Sequence, residues 1–273
     1  MLENLKLPSH IQTNLAMVDL IKGPHLGEGS FGDVWQVRSL IDGEEYALKV
    51  LNKSSYTGKE ALMLEREIQH MATISPHPYI CSIRGVFEDN TKIYILQDLC
   101  GKSLDKVLRH GDDISEDQKL LWFSELVTAV DFCHSRGILH LDLKPENVLI
   151  DGLNKVKLID FGISQFQEAL IHEEAGTFDY LPPEIMVGDD PHVSKAADSW
   201  ALGVILYEII AGKLPFKGSY RDTMRAVSNI DYDISPIPAY IRPMLQGLLV
   251  KDYRKRWTTQ QILDFLGTPE DLA

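Results

Sequence analysis

Between Val18 and about Leu99 the apolar residues fall in short runs. Val34 to Val37, Glu45 to Leu51 and Lys92 to Leu96 are rich in β-branched and aromatic residues and bounded by Gly, Asp and Asn, which predicts strands. One helix interrupts them. From Glu60 to Thr73, Leu64, Ile68 and Met71 recur at helical spacing around Glu65, Arg66 and Glu67, and Pro76 and Pro78 stop the pattern. This half reads as a small antiparallel sheet with one helix against it. After about Gly101 the pattern becomes helical: Ser115 is placed to cap a helix with Gln118 three residues on, and Trp122, Phe123, Leu126, Val127 and Val130 share its apolar face until Gly137. A second helix, Ala196 to Ala211, is apolar nearly all round, the pattern of a buried axis, and Gly212 and Pro215 end it. Between these helices two short strand-like runs, Asn147 to Ile150 and Val156 to Ile159, each touch a cluster of polar residues. The expected class is α+β, with chemistry at those clusters.

Composition narrows the classes of function. The 273 residues are 44% hydrophobic and 25% charged, which excludes a disordered or fibrous chain. Lys and Arg number 27 against 40 Asp and Glu, a formal charge of −13, which argues against nucleic acid or an anionic membrane as partner. Neutral or basic partners are expected. Cys81, Cys100 and Cys133 form an odd set without metal-ligand spacing, so they read as packing residues in a reducing compartment. Met1 to Leu20 lacks the basic flank and apolar core of a secretory signal, and the apolar stretch Ala201 to Ala211 contains Glu208 and falls short of the ~20 residues a membrane helix needs. The expected location is cytoplasmic or nuclear.

Gly27-Glu28-Gly29-Ser30-Phe31-Gly32-Asp33-Val34 is followed by a strand rather than a helix, which removes a dinucleotide-binding reading. Alone, such glycines are equally a plain hairpin. They also let backbone N–H groups approach phosphate oxygens, because no Cβ stands in the way. A phosphate loop needs a cation and a group to hold that cation. Tyr46-Ala47-Leu48-Lys49 puts a lysine in the next apolar strand, and Glu67 lies on the helix that follows. A solvated lysine and a surface glutamate are the plain alternative.

His140-Leu141-Asp142-Leu143-Lys144-Pro145-Glu146-Asn147, then Asp160-Phe161-Gly162, Gly176-Thr177 and Pro182-Pro183-Glu184 follow in order. With these the sequence strongly resembles the eukaryotic protein kinase family across about residues 18 to 268. The resemblance implies a two-lobed kinase fold, with an N-lobe of about 18–98, a C-lobe of about 101–268 and the nucleotide between them. It implies that Gly27, Glu28, Gly29, Ser30, Phe31 and Gly32 cover the phosphates of ATP, and that Lys49 contacts the α- and β-phosphates while paired with Glu67. Asn147 and Asp160 would hold Mg²⁺, Asp142 would accept the proton of the substrate hydroxyl, and Lys144 would steady the γ-phosphate. Val34, Ala47 and Leu149 match apolar positions around the adenine, Gln97 guards the rear of that pocket, and Asp98 and Cys100 follow in the connecting segment. Asp198 would anchor the catalytic loop, Glu184 would pair with Arg256, and Met71, Ile83, His140 and Phe161 would stack as a column, although ordinary core packing describes Met71 and Ile83 equally well.

Lys144 and Thr177 resemble the serine/threonine branch, and the segment Gly176 to Glu184 favours protein substrates over small molecules. Glu146 matches a position that in some relatives helps bind arginine, so basic substrates are a further expectation. Leu141 stands where most of the family has an arginine that reads a phosphate on the activation segment, and residues 165–175 contain no Ser, Thr or Tyr. Activity is therefore expected without phosphorylation of that segment. The same departure admits a second reading, a pseudokinase that scaffolds partners or senses nucleotide. Cys100 is expected to be a buried thiol, with attack by an electrophile as the alternative if it is exposed, and control, if any, is expected from an unidentified protein partner on the Glu67 helix or from expression level. The cues to subfamily conflict and none is assigned.

Overall fold

The computed structural model describes residues 5, 7–29, 32–56, 58–110, 113–161, 178–186 and 194–267. The chain divides into two compact units, with the division in sequence between Gly101 and Lys102.

The first unit is a five-stranded antiparallel sheet with one helix. Strands β1 (Leu20–Gly29), β2 (Gly32–Ser39) and β3 (Glu45–Asn52) precede helix α1 (Lys59–Thr73), and β4 (Ile83–Glu88) and β5 (Lys92–Asp98) complete the order β1-β2-β3-β5-β4. Side chains on a strand alternate between faces, so the register sorts them. One face gathers Val37, Leu48, Phe87, Tyr94 and Leu96 into a core. Val34 lies opposite Lys49, Ala47 opposite Gln97 and Lys49 opposite Ile95, which puts these residues on the other face.

The core face is completed by a segment for which the sequence pattern gave no sign. Gln12 forms a parallel bridge to Gly85, its N–H donating to the Arg84 carbonyl (2.9 Å) and its carbonyl accepting from Val86 N (2.8 Å). Ile11 and Leu15 on either side are buried. Gly85 permits this close approach, because a Cβ there would meet Leu15 Cδ1 at 2.7 Å and the Gln12 carbonyl oxygen at 3.1 Å. The outer edge of β4 is thereby paired at Arg84 and Val86 rather than left open there.

In the second unit β6 (Lys102–Ser103) pairs with β7 (Val148–Ile150), which pairs with β8 (Val156–Leu158). The helices are α2 (Leu104–Arg109), α3 (Glu116–Ser135), α4 (Pro183–Met186), α5 (Lys195–Ala211), α6 (Tyr220–Asn229), α7 (Arg242–Leu248) and α8 (Thr259–Leu266). Ser115 Oγ accepts from Gln118 N at 3.2 Å, as its position predicts, but the Gln118 side chain does not close the reciprocal capping bond. Its Oε1 instead accepts from Asn154 Nδ2 at 2.8 Å. Trp122, Phe123, Leu126, Val127 and Val130 are all buried on α3. Helix α5 begins at Ser194, whose hydroxyl accepts from Ala196 N, and ends at Gly212 in the left-handed conformation with φ 68°. Its residues Ala197 to Tyr207 are buried without a break, as expected of an axial helix. Among the described residues no helix is long and apolar enough to cross a membrane.

Candidate active site

Each unit carries candidate site residues of its own. In the first, β1 and β2 form a hairpin with Gly29 opposite Gly32, so the glycine-rich stretch leads into a strand, as its sequence suggests. At Gly32 a Cβ would collide with the Val50 carbonyl oxygen, which accounts for glycine at that position. The backbone of Gly27, Glu28 and Gly29 belongs to β1, while Ser30 and Phe31 lie outside the described residues. On the face shared by Val34, Ala47 and Gln97, Lys49 Nζ donates to Glu67 Oε1 at 3.3 Å. Both side chains are largely withdrawn from solvent, at 12% and 5% exposure. A lysine in that position is stabilised only when a carboxylate meets it, and the one α1 presents is Glu67. Gln97 Nε2 lies 3.7 Å from Met71 Sδ, so Gln97 rests against α1. Asp98 lies opposite Tyr46 on the core side of the sheet, where its carboxylate takes Arg84 Nε at 2.5 Å and Ser82 N at 3.2 Å. Its side chain is thus occupied by the sheet's own groups.

Cys100 departs from expectation. It is half-buried rather than buried, and its Sγ lies 3.3 Å from Cys81 Sγ.

In the second unit, the loop from Ile138 to Asn147 is shaped by one carboxylate. Asp198, buried on α5, accepts from His140 N at 3.0 Å, from Leu141 N at 2.8 Å and from His134 Nε2 at 2.8 Å. Burial pushes its acidity toward the neutral form, but the His134 hydrogen bond and charge and the His140 N–H outweigh that and hold its pKa below the ordinary aspartate value. The clamp on two successive N–H groups holds Leu141 at φ 65°, a left-handed conformation costing a side-chain-bearing residue ~1–2 kcal/mol. His140 Nε2 lies 3.0 Å from the Ile159 carbonyl and must donate to it, so Nδ1 is the acceptor for Asp142 N at 3.3 Å. The His140 ring sits 4.8 Å from that of Phe161, which is fully buried.

That bracing orients Asp142, which is itself 6% exposed. Asn147 Nδ2 donates to the Asp142 carbonyl (2.8 Å) and to its Oδ2 (2.9 Å), and Lys144 Nζ lies 2.8 Å from Oδ2 and 3.0 Å from Oδ1. With Nδ2 committed twice, Asn147 keeps Oδ1 as an acceptor. Asn147 stands in a 3₁₀ turn rather than at the start of the predicted strand, which begins at Val148. Leu149 follows in β7, and Asp160 is at φ 62° after β8. Glu184 and Arg256 form the two-pronged pair the sequence implies, at 2.8 and 2.9 Å. Gly162, Gly176 and Thr177 lie outside the described residues, as does the segment 165–175.

The family model for the protein kinase domain matches residues 20–265. The chain belongs to the protein kinase family. The kinase domain is 36% identical over 259 residues to CBL-interacting protein kinase 20 of Oryza sativa subsp. japonica, covering 89% of this chain and 55% of that protein. It is 40% identical over 202 residues to CBL-interacting serine/threonine-protein kinase 9 of Arabidopsis thaliana, covering 71% of this chain and 44% of that protein. The chain thus spans about half the length of these relatives. Kinase domains of this family use ATP and a divalent metal.

Two acidic residues near Glu146 were not singled out by sequence reasoning. Tyr180 donates to Glu208 Oε2 at 2.7 Å, and burial raises the pKa of Glu208, with Glu146 and Asp179 adding to the rise and the Tyr180 bond and the charge of Arg109 opposing it. Burial likewise raises Asp179, with Lys217 opposing the rise and Glu146 adding to it. The available signal was Glu208 itself, a charge in an otherwise apolar helix.

Proposed function

We propose that the chain transfers the γ-phosphate of ATP, with Mg²⁺, to serine and threonine hydroxyls of proteins. The observation that carries this reading is the Asp142 carboxylate, fixed by Asn147 and Lys144 on a loop clamped by Asp198. A base that removes a hydroxyl proton must be within hydrogen-bond reach and pre-oriented, and these contacts orient it. Lys144 brings a cation beside the carboxylate, where the transferred phosphoryl group would carry its charge. In the first unit Lys49, held by Glu67, is the cation for the α- and β-phosphates, and the β1–β2 hairpin offers glycine backbone to the same group.

Asn147 and Asp160 suit Mg²⁺: hard amide and carboxylate oxygens are its ligands, and the Asn147 amide is already turned so that oxygen remains available. When bound, the ion neutralises charge developing on the phosphate oxygens. Lys49, Glu67, Asp142, Lys144, Asn147 and Asp160 together favour an active enzyme over a pseudokinase. Leu141, an aliphatic side chain beside Asp142, supports activity without activation-segment phosphate.

The test is incubation of the chain with labelled ATP, Mg²⁺ and a generic protein, before and after phosphatase treatment. Label is expected on phosphoserine and phosphothreonine, lost when the metal is chelated and unchanged by prior phosphatase. Absence of metal-dependent transfer overturns the proposal, and loss after phosphatase treatment overturns the independence from phosphate.

Substrate preference follows from the acids around Tyr180. Glu146, Asp179 and Glu208 lie within electrostatic reach of one another, with Lys217 and Arg109 offsetting part of their charge, and the repulsion that remains favours a guanidinium-bearing peptide. Glu208→Gln is expected to lower kcat/KM for an arginine-containing peptide about tenfold, as the loss of one charge-assisted hydrogen bond implies. A neutral peptide should be little affected. Equal kcat/KM for basic and neutral peptides on the unaltered chain would remove the preference.

A further inference from the structure

Two thiols in the first unit converge where the sequence gives no reason to pair them. Cys81 lies just before β4 and Cys100 just after β5, and their Sγ atoms approach to 3.3 Å. The antiparallel ladder brings them together: Ile83 lies opposite Gln97, and Asp98 N donates to the Ser82 carbonyl at 3.0 Å, carrying the pairing past the end of β4. Both thiols also approach one acceptor, the Asp98 carbonyl, at 3.4 Å from Cys81 and 3.6 Å from Cys100. They differ in access. Cys81 is 4% exposed, whereas Cys100 is half-buried.

We propose that Cys81 and Cys100 are a modification site at which a hydroperoxide forms a reversible intrachain disulfide. Cys100, the more accessible, reacts first. Its sulfur, as the thiolate, attacks one oxygen of hydrogen peroxide, the O–O bond breaks, and the departing hydroxide takes up the thiol proton as water, leaving a sulfenic acid. Cys81 then gives up its proton, and its sulfur attacks the Cys100 sulfur. The S–O bond breaks, and the hydroxide leaves with that proton as a second water. In sum two thiols lose two electrons and two protons to one peroxide, giving one disulfide and two waters.

Closing the bond requires the sulfurs to move from 3.3 Å to the ~2.05 Å of a disulfide, a displacement on the scale of a side-chain rotation. Cys133 has neither access nor a partner thiol at hand: it is fully buried on α3 in the other unit, and burial pushes its pKa up to about 12. The site does not depend on the proposed phosphate transfer, since it rests on contacts within the first unit alone.

The experiment treats the native chain with hydrogen peroxide, then counts thiols after unfolding and maps the linked peptides by mass. The thiol count is expected to fall from three to one, with a single linkage joining Cys81 to Cys100, and dithiothreitol should restore all three. Cys133→Ser should leave that linkage intact. In Cys81→Ser the linkage should vanish and Cys100 should accumulate sulfinic acid instead, because no thiol is there to resolve the sulfenic acid. Three thiols surviving a peroxide dose that oxidises a small free thiol, a linkage through Cys133, or sulfinic acid on Cys100 of the unaltered chain would each overturn the proposal.

Discussion

Asp142→Asn is expected to lower kcat for phosphate transfer by roughly 10²–10⁴-fold while leaving the fold intact, the range set by loss of a positioned general base. The substitution keeps the shape of the side chain and its capacity to accept from Asn147 Nδ2, now 2.9 Å from Oδ2. It removes the negative charge that faces Lys144 and the lone pair that would take the hydroxyl proton. Asp198 continues to hold His140 and Leu141, so the loop has no reason to rearrange. Single-turnover transfer should therefore fall while the circular dichroism spectrum and thermal midpoint stay near those of the unaltered chain. Transfer retained at more than a tenth of the original rate would mean that Asp142 is not the base.

Arg256→Leu is expected to act on stability, by about 3–5 kcal/mol, the cost of leaving one partner of a buried ion pair alone. The Arg256 side chain is wholly buried. It donates to both Glu184 oxygens, to the Ala196 carbonyl at 2.6 Å and to the Val250 carbonyl at 2.9 Å from Nη2, and its guanidinium lies 5.1 Å from the Trp200 ring centre. Leucine fills much of that volume but satisfies none of those acceptors, and it leaves the Glu184 carboxylate at 9% exposure without its counter-charge. Against the ~5–15 kcal/mol that separates a folded domain from its unfolded chain, such a loss is large. Urea unfolding should show it as a lower midpoint. Replacing Glu184 as well, with leucine, should recover part of the loss, because no buried charge is then left alone. A midpoint shift worth less than about 1 kcal/mol for Arg256→Leu would show the pair to be dispensable.

The parts of this fold that could be read in advance are those in which one residue type leaves a periodic trace. The β-branched runs became β2, β3 and β5, and the unbroken apolar stretch became the buried α5. Asp198 and the pair Glu184–Arg256 were reached through resemblance rather than pattern, since nothing local marks a carboxylate that will bond to a loop far away in sequence. What stayed hidden depended on register or on distant contacts. Leucine carries no signal for a positive φ, and Leu141 adopts one because Asp198 holds its N–H. The segment around Ile11 and Leu15 is too short to show a period, and β6 is only two residues long. Cys81 and Cys100 come together because of how β4 pairs with β5, and a spacing along the chain does not disclose that.

The stretch that matches the family begins at residue 20, yet the bridge from Gln12 to Gly85 and the buried Ile11 and Leu15 precede it. A boundary drawn by family likeness and a boundary drawn by burial therefore disagree on this chain. An expression fragment trimmed to the former would strip Leu15 from the core of the first sheet and bare the outer edge of β4, a ready template for intermolecular strand addition. Fragments meant for crystallisation or screening should retain residues from at least Pro8 onward, whose carbonyl accepts from Ile11 N.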